Sequence, residues 1–192
     1  MSMRLLIFIV VLFSTAYAWS WPFAQHSTDL QVNVLGEIAV DVPAKFVNMN
    51  EQKRKAEFVG WLLPIVERQN NIVEQHRNII LKIQKKQFLS ISLTTEELDF
   101  INLMQVKYGG NSILDLLERV NTIPKSLVIA QASLESGWGS SRFAQEGNNL
   151  FGIRTYDKDV PGLTPLKNKN ANFKVRSYAT VDDGVANYLL LL

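Results

Sequence analysis

The chain has 192 residues, of which 47% are hydrophobic and 20% charged, a composition typical of a globular domain and not of a disordered chain. Twenty basic and 18 acidic residues leave a net charge of +2, which is too balanced to indicate nucleic-acid binding. Because the sequence has no cysteine and only two histidines, it excludes disulfide frameworks and cysteine nucleophiles, and we expect no metal ion or other cofactor.

The first 18 residues have the pattern of a secretory signal peptide. Arg4 precedes nine consecutive apolar residues, Leu5 to Phe13, and Ala16 and Ala18 form a small-x-small cleavage motif. Nine apolar residues are too few for a membrane span, which needs about 20. We therefore expect cleavage after Ala18, export across the inner membrane to the periplasm or envelope of a bacterium, and no membrane span in the mature chain.

The next 70 or so residues divide into two parts. Residues 19–49 show no sustained period and are interpreted as an irregular N-terminal arm. Residues 50–90 carry apolar side chains every three or four positions, which predicts an amphipathic helical extension whose basic residues form a solvated face rather than a patch for an anionic partner. Pro64 predicts a kink or break near Leu62–Leu63. His76 is predicted to lie on the helix surface.

Residues 91–192 have the pattern of a separate domain. Thr94 and Glu97 form a capping box for a helix that ends at Gly109. The pattern predicts further helices at 112–120, 124–135, 140–145 and from Thr180 onward, and short extended runs at 151–154 and 172–178. The predicted fold class is therefore α+β and mostly α.

The C-terminus ends in four consecutive leucines, Leu189 to Leu192, without a glycine or a polar tail. A helix terminus normally has groups nearby that satisfy its last carbonyls. The sequence therefore predicts that the domain formed by residues 91–192 is truncated at this end.

The carboxylate of Glu135 is predicted to lie on the apolar side of its helix. A helical wheel at about 100° per residue places Glu135 inside an apolar arc, between Leu127 and Val128. Burial and the negative end of a helix both favour the protonated form of a glutamate, which is the form that a general acid needs. A structural carboxylate, bonded to a backbone amide or to an arginine such as Arg142, is the alternative. The helical wheel alone leaves both interpretations of Glu135 open, the general acid and the structural carboxylate.

The residues around Glu135 add weak signals for a sugar site. The glycines of Gly137-Trp138-Gly139 allow a close backbone approach, and Trp138 has a flat apolar face on which sugars can stack. Asn148 and Asn149 supply amides for hydroxyl and acetamide groups. Taken singly, however, a tryptophan is more often part of a core and an Asn-Asn pair more often a turn.

Together these residues resemble a known family. The runs AQASLESGWGSSRFA, from Ala130 to Ala144, and GNNLFG, from Gly147 to Gly152, are similar to the core of the glucosaminidase family of bacterial cell-wall hydrolases, glycoside hydrolase family 73. The run GLTPL at 162–166 and the long preceding helix resemble its Bax-type subgroup, so the resemblance covers roughly residues 50 to 192. It implies a lysozyme-like fold with a helical lobe and a small β lobe.

The resemblance also implies residue roles. Glu135 matches the catalytic acid of the family, and Tyr178 matches a tyrosine that lines its cleft. The candidates for substrate binding are Trp138, Asn149 and Phe151, and for Trp138 and Asn149 a structural role remains equally open. Asp157 and Asp159 are the nearest candidates for a second carboxylate. Without one, the acetamide of the substrate would serve as the nucleophile.

The resulting functional hypothesis is a hydrolase of peptidoglycan glycan strands that cleaves the β-1,4 bond after N-acetylglucosamine. One alternative is a lytic transglycosylase, which would use the same glutamate but cut after N-acetylmuramic acid. Another is a non-catalytic protein that binds the cell wall and needs no acid. The retained Glu135 favours an enzyme over the non-catalytic protein.

Overall fold

A computed structural model describes residues 40–166 and 171–192, so the predicted signal peptide and residues 19–39 of the predicted arm lie outside the described residues. The fold is α+β and mostly α, as predicted. The helices are α1 (Lys45–Asn48), α2 (Glu51–Phe88), α3 (Thr95–Tyr108), α4 (Ile113–Arg119), α5 (Lys125–Ser136), α6 (Arg142–Gly147) and α7 (Val181–Leu191). Three short strands, β1 (Arg154–Thr155), β2 (Gly162–Leu163) and β3 (Lys174–Arg176), form an antiparallel sheet in the order β1-β3-β2.

Helix α2 is continuous over 38 residues and includes Pro64, so of the predicted kink or break near Leu62–Leu63 the break was wrong and the kink stays a prediction. A proline inside a helix costs about 3 kcal/mol. Leu62, Ile65 and Val66 are buried on either side of it, and burying one such side chain stabilises a fold by about 1.5–3 kcal/mol. Tertiary packing therefore outweighs the local cost of the proline.

A first core joins the N-terminal half of α2 to α5 and α7. Phe58, Leu62 and Val66 of α2 are buried there together with Val128 of α5 and Val185 of α7. The helix predicted as an extension thus supplies much of the core around which the later helices pack. Among the described residues, no helix has both the length and the apolar character needed to cross a membrane.

A second core joins the C-terminal half of α2 to α3 and α4. His76 lies beside this core, with only 6% of its surface exposed, so its predicted surface position was wrong. Helix α3 covers that face of α2, and the Nδ1 atom of His76 is 2.9 Å from the hydroxyl of Tyr108. Burial, together with the positive charge of Lys107, lowers the pKa of His76 to about 4, so the ring is neutral near pH 7.

Capping and one ion pair fix α7 on α2. Thr180 and Asp183 form a capping box at the start of α7. The capping box predicted for α3, formed by Thr94 and Glu97, is also present. The guanidinium of Arg68 donates to both carboxylate oxygens of Asp182, at 2.8 Å each. This bidentate pair places the first turn of α7, and hence the residues after it, against α2.

Candidate active site

Glu135 is the penultimate residue of α5 and is exposed to solvent. The buried residues of α5 are Val128, Ala132, Ser133 and Ser136, whereas Leu127 is 49% exposed and Leu134 is 77% exposed. The apolar arc of the predicted wheel is therefore buried at Val128 but not at Leu127, and the argument from burial of Glu135 was wrong. Small side chains allow α2 to approach closely, and this tertiary contact decided which face of α5 is buried.

A tight turn follows the helix. Gly137, Trp138 and Gly139 all have positive φ values, of 57°, 59° and 76°. The hydroxyl of Ser136 accepts a hydrogen bond from the amide of Gly139 at 2.8 Å. A Cβ atom at position 139 would lie 2.9 Å from the ring of Phe46. This glycine is thus needed both for the turn and for packing against the first core.

Trp138 is placed in the first core rather than against Glu135. Its ring lies edge-on to that of Phe58, with centroids 6.0 Å apart. The ammonium of Lys55 lies 5.5 Å from the centroid of the same ring. These contacts support the structural role for Trp138 that the sequence left open.

Asn149 is buried and fully hydrogen-bonded to backbone groups. Its Nδ2 atom donates to the carbonyl oxygens of Ile153 and Arg176, at 2.9 and 2.8 Å. Its Oδ1 atom accepts from the amides of Phe151 and Ile153, each at 3.2 Å. Because both donors and both acceptor positions are used, Asn149 shapes the loop that follows it and connects that loop to β3.

The loop places Gly152 beside Glu135, and α7 brings Tyr188 near it. Gly152 has a φ of 66°, and a Cβ atom built there would lie 3.3 Å from the Oε2 atom of Glu135. The ring of Phe151 stacks on that of Tyr188 in α7. Burial, and to a smaller extent the negative charge of Glu135, raises the pKa of Tyr188. On its other side, Glu135 accepts a hydrogen bond at Oε1 from the Nε2 atom of Gln131, at 3.1 Å.

Tyr178 follows β3 and is hydrogen-bonded to α7. Its hydroxyl donates to the Oδ1 atom of Asn187 at 2.7 Å. Burial raises the pKa of Tyr178 to about 12, against a smaller lowering effect of the Arg176 guanidinium, so the phenol is neutral. Tyr178 is thereby connected to the residue that precedes Tyr188.

The two aspartates and Arg142 have partners of their own. Asp157 and Asp159 are exposed in the connection between β1 and β2, where the amide of Asp159 donates to the Oδ1 atom of Asp157. Within the described ranges, neither aspartate is hydrogen-bonded to Glu135. Arg142 donates to Glu146 and to the carbonyl of Thr164. The second carboxylate therefore stays a prediction.

Gln131 and Tyr188 were not among the predicted site residues. The four-residue spacing between Gln131 and Glu135 could have identified the former, since such residues are neighbours on a helix face. The sequence offered no signal for Tyr188, because its approach to Glu135 depends on how α7 packs.

Comparison with known proteins gives the following matches. Residues 110–192 match the Glucosaminidase family model, described as mannosyl-glycoprotein endo-beta-N-acetylglucosaminidase. The chain is 33% identical over 143 residues to Protein bax of Escherichia coli (strain K12), covering 71% of this chain and 49% of that protein. It is 32% identical over 109 residues to exo-glucosaminidase LytG of Bacillus subtilis (strain 168), covering 54% of this chain and 38% of that protein. The chain thus spans half or less of these relatives, and no solved structure matches.

Proposed function

From the match of residues 110–192 to the Glucosaminidase family model, we propose that the protein hydrolyses peptidoglycan glycan strands with Glu135 as its general acid. The bond cleaved is the β-1,4 bond after N-acetylglucosamine. The similarity to an exo-glucosaminidase supports a glycosidase acting on this sugar.

The observation that carries the proposal is the position of the Glu135 carboxylate. A general acid has to come within hydrogen-bond reach of the oxygen that it protonates. Glu135 is exposed, yet it is held by Gln131 and lies against Gly152, a residue without a side chain. A glycan can therefore reach the acid from solvent. We further propose that Tyr178 and the stacked pair Phe151–Tyr188 line the cleft in which the glycan binds.

The reaction that we infer has two steps. In the first, Glu135 gives its proton to the glycosidic oxygen, which also takes the electron pair of the breaking C1–O bond. The carbonyl oxygen of the 2-acetamido group bonds to C1 and forms a cyclic oxazolinium ion. In the second, water adds to C1 while the Glu135 carboxylate accepts a proton from it, which reopens the ring and restores the acid.

Mass spectrometry of digested peptidoglycan tests the proposal, with wild type compared to Glu135→Gln. Hydrolysis after N-acetylglucosamine gives products with a reducing N-acetylglucosamine end. Anhydro ends on N-acetylmuramic acid would instead show a lytic transglycosylase. Undigested glycan with the wild type, or full digestion by Glu135→Gln, would contradict the proposed enzyme.

The proposed substrate lies outside the bacterial inner membrane, so we further propose that residues 1–18 direct export to the periplasm or envelope. N-terminal sequencing of the exported protein is expected to begin at Trp19. An intact Met1 on exported protein would contradict this.

A further inference from the structure

We propose that Gln131 is a positioning residue for Glu135 and that it selects Oε2 of Glu135 as the oxygen that delivers the proton. This inference rests on the proposed function, because it assigns a task to one atom of the proposed acid.

The first step of the argument is the chemistry of the hydrogen bond between the two side chains. Gln131 and Glu135 lie one turn apart on α5, and the Nε2 atom of Gln131 is 3.1 Å from Oε1 of Glu135. An amide NH₂ group donates hydrogen bonds and accepts none. Oε1 is therefore the accepting oxygen, and because the carbonyl oxygen of a carboxylic acid accepts hydrogen bonds better than its hydroxyl oxygen, we place the proton of the neutral acid on Oε2.

The second step concerns the surroundings of Oε2. A Cβ atom at position 152 would lie 3.3 Å from this oxygen, closer than most contacts that real Cβ atoms make. Glycine at this position keeps a side chain away from Oε2, and its φ of 66° is one that other residues rarely adopt. The proton-bearing oxygen thus faces the side of Glu135 that is open to a sugar, while Gln131 occupies the other side.

The chain offers a matched control for the glutamine. The Nε2 atom of Gln69 donates to Oδ1 of Asp182 at 2.8 Å. This bond has the same chemistry, glutamine amide to carboxylate, but it belongs to the Arg68–Asp182 pair. Gln69→Met and Gln131→Met each remove one such bond with a side chain of similar length and good helix propensity.

In steady-state kinetics on purified glycan strands, Gln131→Met is expected to lower kcat roughly 10-fold with KM within about two-fold of wild type, because the acid is misplaced while substrate contacts remain. Gln69→Met is expected to keep the wild-type kcat. Equal losses of kcat in both variants would show a general structural effect and overturn the inference.

A second pair of variants tests the assignment of Oε2. Gly152→Ala places a methyl group at this oxygen, whereas Gly109→Ala introduces a side chain at a similar φ of 76° away from Glu135. We expect both to lose thermal stability but only Gly152→Ala to lose kcat, by at least about 10-fold. A kcat for Gly152→Ala equal to that of Gly109→Ala would overturn the assignment.

Glu135→Gln separates the two proposals. If it is inactive and Gln131→Met has the wild-type kcat, the role of Gln131 is wrong and the proposed function stands. If Glu135→Gln turns over like wild type, or if the wild type has no turnover, the proposed function fails and this inference fails with it.

Discussion

The ring of Phe151 lies parallel to the ring of Tyr188, with centroids 3.9 Å apart and an interplanar angle of 2°. This contact joins the loop after α6 to the last turns of α7, 37 positions further along the chain. Tyr188 lies near enough to Glu135 for the charge of that carboxylate to raise the pKa of its phenol, so the stack adjoins the candidate site. Its geometry is therefore expected to matter for both stability and turnover.

Tyr188→Ala and Tyr188→Phe separate the ring from the hydroxyl. Removing the ring is expected to lower the free energy of unfolding by about 2 kcal/mol, since a half-buried aromatic and its stack are lost. Tyr188→Phe keeps the stack and is expected to stay within about 0.5 kcal/mol of wild type. Urea unfolding measures both. Equal destabilisation by the two substitutions would show that the hydroxyl, not the stack, is the stabilising group.

Asp157→Asn and Asp159→Asn test whether a second carboxylate takes part. Loss of a general acid typically lowers the rate by about 10²–10⁴-fold, so Glu135→Gln is expected to fall in this range on glycan strands. Each aspartate variant is expected to lose less than about three-fold, because the substrate acetamide supplies the nucleophile in the proposed reaction. If either aspartate variant is as inactive as Glu135→Gln, a two-carboxylate mechanism replaces the acetamide-assisted one.

Asn149→Ala distinguishes a structural role from substrate binding. It removes four hydrogen bonds to buried backbone groups, and we expect the free energy of unfolding to fall by about 3 kcal/mol. Asn121→Ala is the control, since in the described structure the side chain of Asn121 bonds only the adjacent amide of Thr122, and this substitution should be nearly neutral. A stable Asn149→Ala variant with a raised KM would instead support the substrate-binding role.

The buried His76 predicts a dependence of stability on pH. Its pKa is about 4 in the folded protein, against an ordinary value of 6.5. The unfolded chain therefore binds more protons between these values, so the contribution of the neutral ring is fully present above pH 6.5 and is lost as the pH falls toward 4. At about 1.4 kcal/mol per pKa unit, the loss is at most about 3 kcal/mol.

His76→Leu is the matched variant, because it removes the titrating group. Chemical unfolding at several pH values between 7 and 4 is expected to show a smaller loss of stability for His76→Leu than for wild type. Identical slopes in the two proteins would contradict the contribution of His76. Tyr108, whose pKa is raised to about 12 by burial, stays neutral throughout this range and does not interfere.

Features that depend on neighbouring residues could be predicted from the sequence, and features that depend on packing could not. The capping residues Thr94 and Thr180 lie at the predicted helix starts, because a cap is a local hydrogen bond. The buried face of α5 was missed, since α2 selects small residues there over Leu127 and Leu134. His76 was missed although Val73 and Ile80, three positions before it and four after it, place it on the apolar side of α2 that α3 covers.

In the candidate site too, local features could be predicted from the sequence and features that depend on packing could not. The motif predicts Glu135 as the acid, and the four-residue spacing on the same helix indicates Gln131 as its neighbour. The contacts of Asn149 and Trp138, which support structural roles, could not be predicted, because a polar or aromatic side chain can serve a core or a ligand equally well. Tyr188 reaches Glu135 through the placement of α7, which no short run of sequence encodes.

Helix α2 has a consequence for the order in which the protein folds. It contributes to both cores, yet many of its partners come late in the chain, as in the pair of Arg68 and Asp182, which are 114 positions apart. During synthesis, the apolar face of α2 leaves the ribosome long before α5 and α7 exist to cover it. Contacts of such separation slow folding, so the part of α2 that packs against α7 stays uncovered until residues 181–191 have been made.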